Sequence, residues 1–376
     1  VIDCSAGSNP FGMPPAAQDA ISRTTASQVN LYPHHGGLRD AICRSLPGAG
    51  LSPRNVLLTA GSIDGISLVN TSFLRDGAQV AGVCPQFSDY VSNARLLGYD
   101  YQAVPLDVRE NLRFDRDAVL RAVHPGLSLV YIDNPNNPTG IAVKKEQVLK
   151  LAETCEKTNT FLVVDECFEE FLDEPEAYSI IPFLEKLSHV FVLKAFTKIY
   201  AMAGLRLGYA LCSNEDVLTK ICQVRQPWSV SGLAQRAGIA ALKETEYVLK
   251  TRKLIHEQRE KMEAALTELG YIVYPSQANY IFFMEKTLEG ATDSLYDRML
   301  KQGVLIRSCS NYPGLDASCY RICVKTEEEN REFLHKLSQC TVTKCTDIKC
   351  TDTKHTDTVY TDANPTQAPH RPEKEE

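Results

Sequence analysis

The chemistry-bearing pair that stands out is Lys198 and Arg206, eight positions apart in Lys194-Ala195-Phe196-Thr197-Lys198-Ile199-Tyr200-Ala201-Met202-Ala203-Gly204-Leu205-Arg206-Leu207-Gly208. A lysine amine can form a Schiff base with an aldehyde, and a guanidinium fork can pair with a phosphate. Gly204 and Gly208 let backbone pass close by. On this segment alone, a surface lysine in an amphipathic turn followed by a Gly-rich strand remains an open reading. Four further groups bear on the choice. Thr59-Ala60-Gly61-Ser62-Ile63-Asp64-Gly65 follows an expected strand and opens a helix, so its backbone N–H groups and the Ser62 hydroxyl face an anion at a helix N-terminus. Pro85-Gln86-Phe87-Ser88-Asp89-Tyr90 follows another strand and carries the Phe87 ring, a residue type that otherwise fills cores. Asn134-Pro135-Asn136-Asn137-Pro138-Thr139-Gly140 is a double-proline turn that presents the Asn137 amide. Val163-Val164-Asp165-Glu166-Cys167-Phe168 ends a buried strand in the Asp165 carboxylate, with Glu166 read as structural.

Together, and in this order along the chain, these segments resemble the class I/II aminotransferase-like enzymes of fold type I, which depend on pyridoxal 5′-phosphate (PLP). The resemblance covers roughly residues 1–338. It implies that Lys198 forms the Schiff base and that Asp165 keeps the pyridine nitrogen protonated, making the ring an electron sink. It further implies that Asn137 donates to the phenolic oxygen and that Phe87 stacks on the ring. Gly61, Ser62, Ile63, Thr197 and Arg206 hold the cofactor, chiefly at its phosphate. Tyr32, in Leu31-Tyr32-Pro33, matches a tyrosine that reaches the neighbouring cofactor phosphate, which implies a homodimer with shared active sites. Asn9 matches an N-terminal segment that closes over the substrate, and Arg321 matches the substrate-anion arginine, with Arg307 a second one. Two guanidinia suit a phosphate or phosphonate dianion better than one carboxylate, although strand-end arginines in solvated salt bridges are common. Two positions depart from the family pattern. Phe168 stands where many aminotransferases have Tyr, and Ala195 stands where Ser or Thr is frequent.

Within the family, two matches are general: histidinol-phosphate aminotransferase and the threonine-phosphate decarboxylase of cobalamin synthesis. The stretch from Val304 to Asp316, the run Gln226-Pro227-Trp228-Ser229-Val230 and Phe168 favour the decarboxylase. The expected reaction is therefore decarboxylation of a small anionic L-amino acid bearing a phosphate, with phosphonoalanine as an alternative substrate. Transamination of the histidinol-phosphate type and a non-enzymatic sensing module on the same fold are the other readings.

The elements that position these residues are legible as alternation. From about residue 38 to 215, helical stretches alternate with short β-branched runs: 55–58, 129–132, 161–164 and 190–193. This is the pattern of an α/β fold with a mostly parallel sheet of seven-stranded type between helices, its ligands at the strand C-terminal ends. A helix over 244–269 leads to a small α+β domain with strands at 271–274, 280–283, 304–307 and 320–324, closed by a helix over 327–337. The expected divisions are an N-terminal segment (1–30) packing with the small domain, a large PLP-binding domain (31–265), a small domain (266–338) and a disordered tail (339–376). The tail repeats every five residues around Thr-Asp and sets Cys340, Cys345, Cys350 and His355 five apart, a spacing unlike zinc sites, so no metal is expected.

A net charge of −7 excludes nucleic-acid binding as the main activity. Thirteen cysteines, several within apolar runs, suit reduced thiols in a cytoplasmic protein. No apolar run is long enough to span a bilayer. A chain opening at Val1 is expected to be a fragment, a processed product or part of a longer polypeptide.

Overall fold

The computed structural model describes residues 1–34, 36–106, 111–286 and 293–340. The strands are β1 (Ile2–Asp3), β2 (Val56–Thr59), β3 (Gln79–Cys84), β4 (Tyr101–Pro105), β5 (Leu127–Asp133), β6 (Phe161–Asp165) and β7 (Val190–Ala195), then β8 (Gly208–Leu211), β9 (Ile272–Val273), β10 (Tyr280–Met284), β11 (Val304–Leu305), β12 (Arg307–Ser308) and β13 (Cys319–Cys323). The helices are α1 (Pro15–Ser22), α2 (Ala26–Val29), α3 (Gly36–Ser45), α4 (Ser62–Phe73), α5 (Ser88–Leu96) and α6 (Arg116–Ala122), then α7 (Lys145–Thr158), α8 (Glu215–Cys222), α9 (Gly232–Ala241), α10 (Thr245–Glu268), α11 (Leu295–Lys301) and α12 (Glu327–Cys340).

A seven-stranded sheet in the order β2-β8-β7-β6-β5-β3-β4 forms the centre. Its pairings are parallel except where β8 runs against β2 and β7. The middle strands are apolar and buried along nearly their whole length because helices cover both faces. Gly65 on α4 has no side chain to hold the helix away from β7: a Cβ there would stand 3.1 Å from a Leu193 methyl. This close approach brings the N-terminus of α4 to the strand ends.

A second sheet, β12-β13-β10-β9, is antiparallel, and a third pairs β1 with β11. A separate apolar core, including Tyr280, Phe283, Tyr320, Phe333 and Leu337, surrounds them. The run 304–307, expected as one strand, is two. Val304 and Leu305 pair in parallel with Ile2 and Asp3, whereas Arg307 and Ser308 pair antiparallel with Arg321 and Tyr320. The chain changes partners at the buried Ile306, and that change sets Arg307 directly across from Arg321. The run 271–274 shortens for a similar reason, since the Tyr271 N–H closes the end of α10 on the Leu266 carbonyl.

Two expected divisions change. The N-terminal segment does not pack only with the second sheet: β1 joins β11, but α1 lies against α9 beside the large sheet. The last helix passes the expected boundary at 338, because Phe333, Leu337 and Cys340 continue one buried stripe at helical spacing. The repeat cysteines Cys345 and Cys350, and His355, lie outside the described residues. Among the described residues every cysteine is a free thiol, Cys84, Cys212 and Cys323 being buried. Among the same residues no helix is long and apolar enough to cross a membrane, and no group of three or more His, Cys, Asp or Glu side chains could hold a metal.

Replacing Leu193 by alanine should empty the contact between β7 and α4 and destabilise the protein by about 2–5 kcal/mol. Urea unfolding measures this loss, and a change below about 0.5 kcal/mol would show that α4 is held elsewhere.

Candidate active site

Three strand ends of the large sheet converge with one strand of the small sheet. Asp165 ends β6, and its neighbour Asp133 ends β5 in the same register. Asp165 is buried, accepting the Tyr90 hydroxyl at 2.8 Å and the Cys167 N–H at 2.9 Å. Tyr90 lies one helical turn after Phe87, whose ring meets it edge-on at 5.6 Å. The same turn that presents the Phe87 ring thus steadies the carboxylate.

Beyond β7 the chain turns through Thr197, half-buried, to Lys198. Burial, together with the charge of Arg321, lowers the Lys198 pKa below that of an ordinary lysine. Its Nζ lies 5.2 Å from the centre of the Phe168 ring. Lys194, four residues earlier, differs in kind: buried, it pairs with Glu169 and Glu170 at 2.8 Å each. Among the described residues Lys198 has no carboxylate partner within ion-pair distance, so its amine is the one available for addition to an aldehyde. Glu166 is structural, accepting from the Ser179 hydroxyl and the Ile180 N–H.

Ser62 opens α4 after Gly61, whose φ of 88° lies in the left-handed region. A Cβ on Gly61 would stand 2.6 Å from an Arg206 terminal nitrogen, so a side chain here would fill the cradle. Arg206 reaches the Ala60 carbonyl at 3.3 Å, which sets a guanidinium beside the free N–H groups of α4, with Ile63 exposed beyond. Gly208 has its own reason: a Cβ there would lie 2.8 Å from the Gly61 carbonyl carbon and 3.0 Å from the Lys194 oxygen. Gly204, expected to serve a close approach too, has nothing within 4 Å of such a Cβ. The Gly61 cradle, a helix N-terminus and a facing arginine fit a phosphate monoester.

Asn137 is the junction with the small sheet. Its Oδ1 accepts from Arg321 and, at 3.4 Å, from the Tyr312 hydroxyl, which leaves Nδ2 as the donating end. Arg321 stands in the middle of β13, opposite Phe282 on one side and Arg307 on the other. It is buried, donates to the Ser5 carbonyl at 2.8 Å, lies 5.2 Å over the Tyr280 ring, and keeps an unpartnered Nε. Arg307, half-buried, donates to Asn311 at 3.0 Å and lies 5.5 Å from the Tyr312 ring centre. Among the described residues neither arginine has a carboxylate within ion-pair distance, unlike the solvated pairs expected of strand-end arginines.

Asn9 ties the N-terminal segment to the lysine loop. Its amide donates to the Ile199 carbonyl and the Thr251 hydroxyl, each at 2.7 Å, and its Oδ1 accepts the Phe11 N–H. With its own N–H on the Lys198 carbonyl at 3.1 Å, it holds the lysine loop, and its Oδ1, which accepts one N–H, keeps a second lone pair. Tyr32 is 77% exposed, with its ring 4.6 Å from that of Trp228. Asp133, Tyr90 and Tyr312 had no assigned role in the sequence reading. Tyr90 could have been found by its spacing of three from Phe87, whereas nothing local marks the other two.

The model of the family described as Aminotransferase class I and II matches residues 1–337. The chain belongs to this family. It is 32% identical over 343 residues to the histidinol-phosphate aminotransferase of Oleidesulfovibrio alaskensis, covering 90% of this chain and 87% of that protein. It is 31% identical to the threonine-phosphate decarboxylase of Salmonella typhimurium, covering 90% of each. Among solved structures, the histidinol-phosphate aminotransferase of Clostridium acetobutylicum superposes with a TM-score of 0.83 at 28% identity, over 91% of this chain and 99% of that one. Membership in this family makes the chain an enzyme of the PLP-dependent class, and PLP is the cofactor it indicates. The residues fit that group: Arg206 and the α4 N-terminus for the phosphate, Asp165 for the ring nitrogen, Asn137 Nδ2 for the phenolic oxygen, Phe87 for the ring face and Lys198 for the aldehyde.

Two outcomes test this geometry. Gly208→Ala should push the Gly61 loop away from Arg206 and weaken PLP binding by roughly tenfold or more, about 1.4 kcal/mol, as read by cofactor fluorescence. Capture of PLP by the cofactor-free protein should proceed at a lower pH than an exposed lysine allows, since burial and Arg321 disfavour the ammonium form. Arg321→Gln removes the like charge, so the pH needed should rise; a fall would contradict the assignment.

Proposed function

We propose that the protein decarboxylates an L-amino acid whose side chain carries a phosphate or phosphonate. The observation that carries this reading is the opposition of Arg307 and Arg321 across β12 and β13, with Tyr312 against Arg307 and sharing the Asn137 oxygen with Arg321. Like charges directly opposite in a sheet are destabilising, and a dianion offers enough acceptors to engage both forks.

Bound PLP supplies an electron-withdrawing ring that takes up the pair released when a bond at the substrate Cα breaks. The protein decides which bond. With both guanidinia engaged by the side-chain dianion, neither would be left to hold the α-carboxylate. The Cα–carboxylate bond then breaks, CO₂ leaves, and Lys198 delivers a proton to Cα, giving a phosphorylated amine. The Phe168 ring beside Lys198 provides an apolar wall and holds no proton that could compete for Cα. Asp165, steadied by Tyr90, holds a proton at the ring nitrogen throughout.

The reading that the same arginines hold an α-carboxylate leads to transamination, with Lys198 moving the Cα proton. The 32% identity to a histidinol-phosphate aminotransferase favours it. In either reading we assign Tyr32 to the cofactor phosphate of a second copy in a homodimer. What supports this is the exposure of Tyr32 together with Val29, Leu31 and Trp228 in one patch.

Incubation of the PLP-loaded protein with O-phosphothreonine, with phosphonoalanine, and with histidinol phosphate plus 2-oxoglutarate, following CO₂ and glutamate, separates the readings. CO₂ without glutamate is expected, and glutamate without CO₂ overturns the decarboxylase. Arg307→Ala should weaken the anionic substrate by about 1.5–3 kcal/mol, roughly 10- to 150-fold, with PLP affinity unchanged. Lys198→Ala should abolish turnover and the visible absorbance of bound PLP.

A further inference from the structure

Asp133 is a buried carboxylate that the proposed reaction leaves without a role. It ends β5 beside Asp165, and among the described residues no lysine, arginine or histidine lies within ion-pair distance of it. Burial of an unpaired carboxylate is unfavourable unless hydrogen bonds satisfy it. Three donors do so. Its Oδ2 accepts the backbone N–H of Asn137 at 2.8 Å and that of Phe87 at 3.3 Å, and its Oδ1 accepts the Asn136 amide at 2.8 Å.

The two backbone partners are what make the arrangement informative. Phe87 and Asn137 lie 50 positions apart in the chain and on different loops, yet both are tied to one oxygen atom. These are the residues that offer the stacking ring and the phenolic-oxygen donor. We propose that Asp133 is a positioning residue for the cofactor: through Oδ2 it fixes the Phe87 and Asn137 backbones relative to each other, so that ring and amide are aimed before PLP arrives. This rests on the reading of Phe87 and Asn137 as PLP contacts.

The chemistry of the partners explains why the residue is an aspartate. All three are donors, so an acceptor-only side chain meets them all. An asparagine of the same shape has one oxygen and one NH₂. Either the NH₂ faces two backbone N–H groups, or it faces the Asn136 amide, and a donor is left unmet in both orientations. All three donors are met when the carboxyl is ionised. Burial, with Asp165 adding to it, pushes the Asp133 carboxyl up to about 7, while the three hydrogen bonds pull the other way and favour the anion.

The test reads Asn137 through the cofactor's spectrum. A donor to the phenolic oxygen stabilises the more anionic form of bound PLP, so losing that donor raises the pH midpoint of the visible band. Wild type, Asp133→Asn, Asn137→Ala and the double variant, each loaded with PLP, are titrated across pH by absorbance. We expect Asp133→Asn to raise the midpoint by roughly half a pH unit or more. The double variant should match Asn137→Ala alone, because Asp133 acts through Asn137. An unchanged midpoint in Asp133→Asn, or shifts that sum in the double variant, overturns the proposal while leaving the cofactor reading intact. If wild type shows no visible band with PLP, the cofactor reading itself fails and the proposal with it. Asp133→Thr, whose hydroxyl can still accept one backbone N–H, carries the same expectation and the same test should Asp133→Asn not fold.

Discussion

Arg321 is a buried cation with no acid within ion-pair distance among the described residues, and much of the site follows from how the protein accommodates it. Its guanidinium takes a carbonyl from the N-terminal strand segment at Ser5 and the amide oxygen of Asn137 from the large sheet. The β13 strand is thereby bonded to two regions distant in sequence. A buried guanidinium left with only neutral acceptors keeps much of its field. That field, added to burial, lowers the Lys198 pKa, and the guanidinium fixes the Asn137 amide by its oxygen. One unpaired charge thus prepares the amine, orients the donor and attracts an anion.

The lysines show the opposite solution side by side. Lys194 on β7 is buried, but Glu169 and Glu170 compensate it, so it stays charged and its nitrogen is occupied. Lys198 lies by the Phe168 ring and, among the described residues, has no carboxylate within ion-pair distance. The difference comes from the 3-10 turn after β6, which carries both glutamates toward Lys194 and sends Phe168 toward Lys198. Gly7 completes this wall: a Cβ there would stand 3.0 Å from the Phe168 ring, so the N-terminal segment lies directly over it. The tyrosine that many aminotransferases carry at this position would add a hydroxyl to a site that here is apolar.

Asn9, matched by family pattern, also braces the site from within. Its five hydrogen bonds join the N-terminal segment, the Lys198 loop and α10. Phe87, Tyr90 and Asp165 form a comparable unit on the other side, in which one helical turn carries both the stacking ring and the hydroxyl that steadies the carboxylate. The site is therefore a set of small rigid units, each built from one or two loops and locked by buried hydrogen bonds of the kind that cost about 1–3 kcal/mol to break.

How much of this was written locally can be judged from particular residues. The strands ending in Asp133 and Asp165, the glycine and serine that open α4, the double-proline turn and the spacing from Lys198 to Arg206 are set by short-range pattern: apolar runs for buried strands, turn residues for strand ends. These carried the fold class and the resemblance to the family, and with it the expected cofactor contacts. Tertiary structure alone decided the rest. The break at Ile306 depends on which strand each half finds, because register is a property of pairing between distant segments, and only that break sets Arg307 across from Arg321. Likewise an aspartate before a turn looks ordinary in sequence. Its place as the shared acceptor of Phe87 and Asn137 exists only once β3 and β5 lie side by side, since hydrogen bonds between segments follow from proximity in space and leave no trace in local composition.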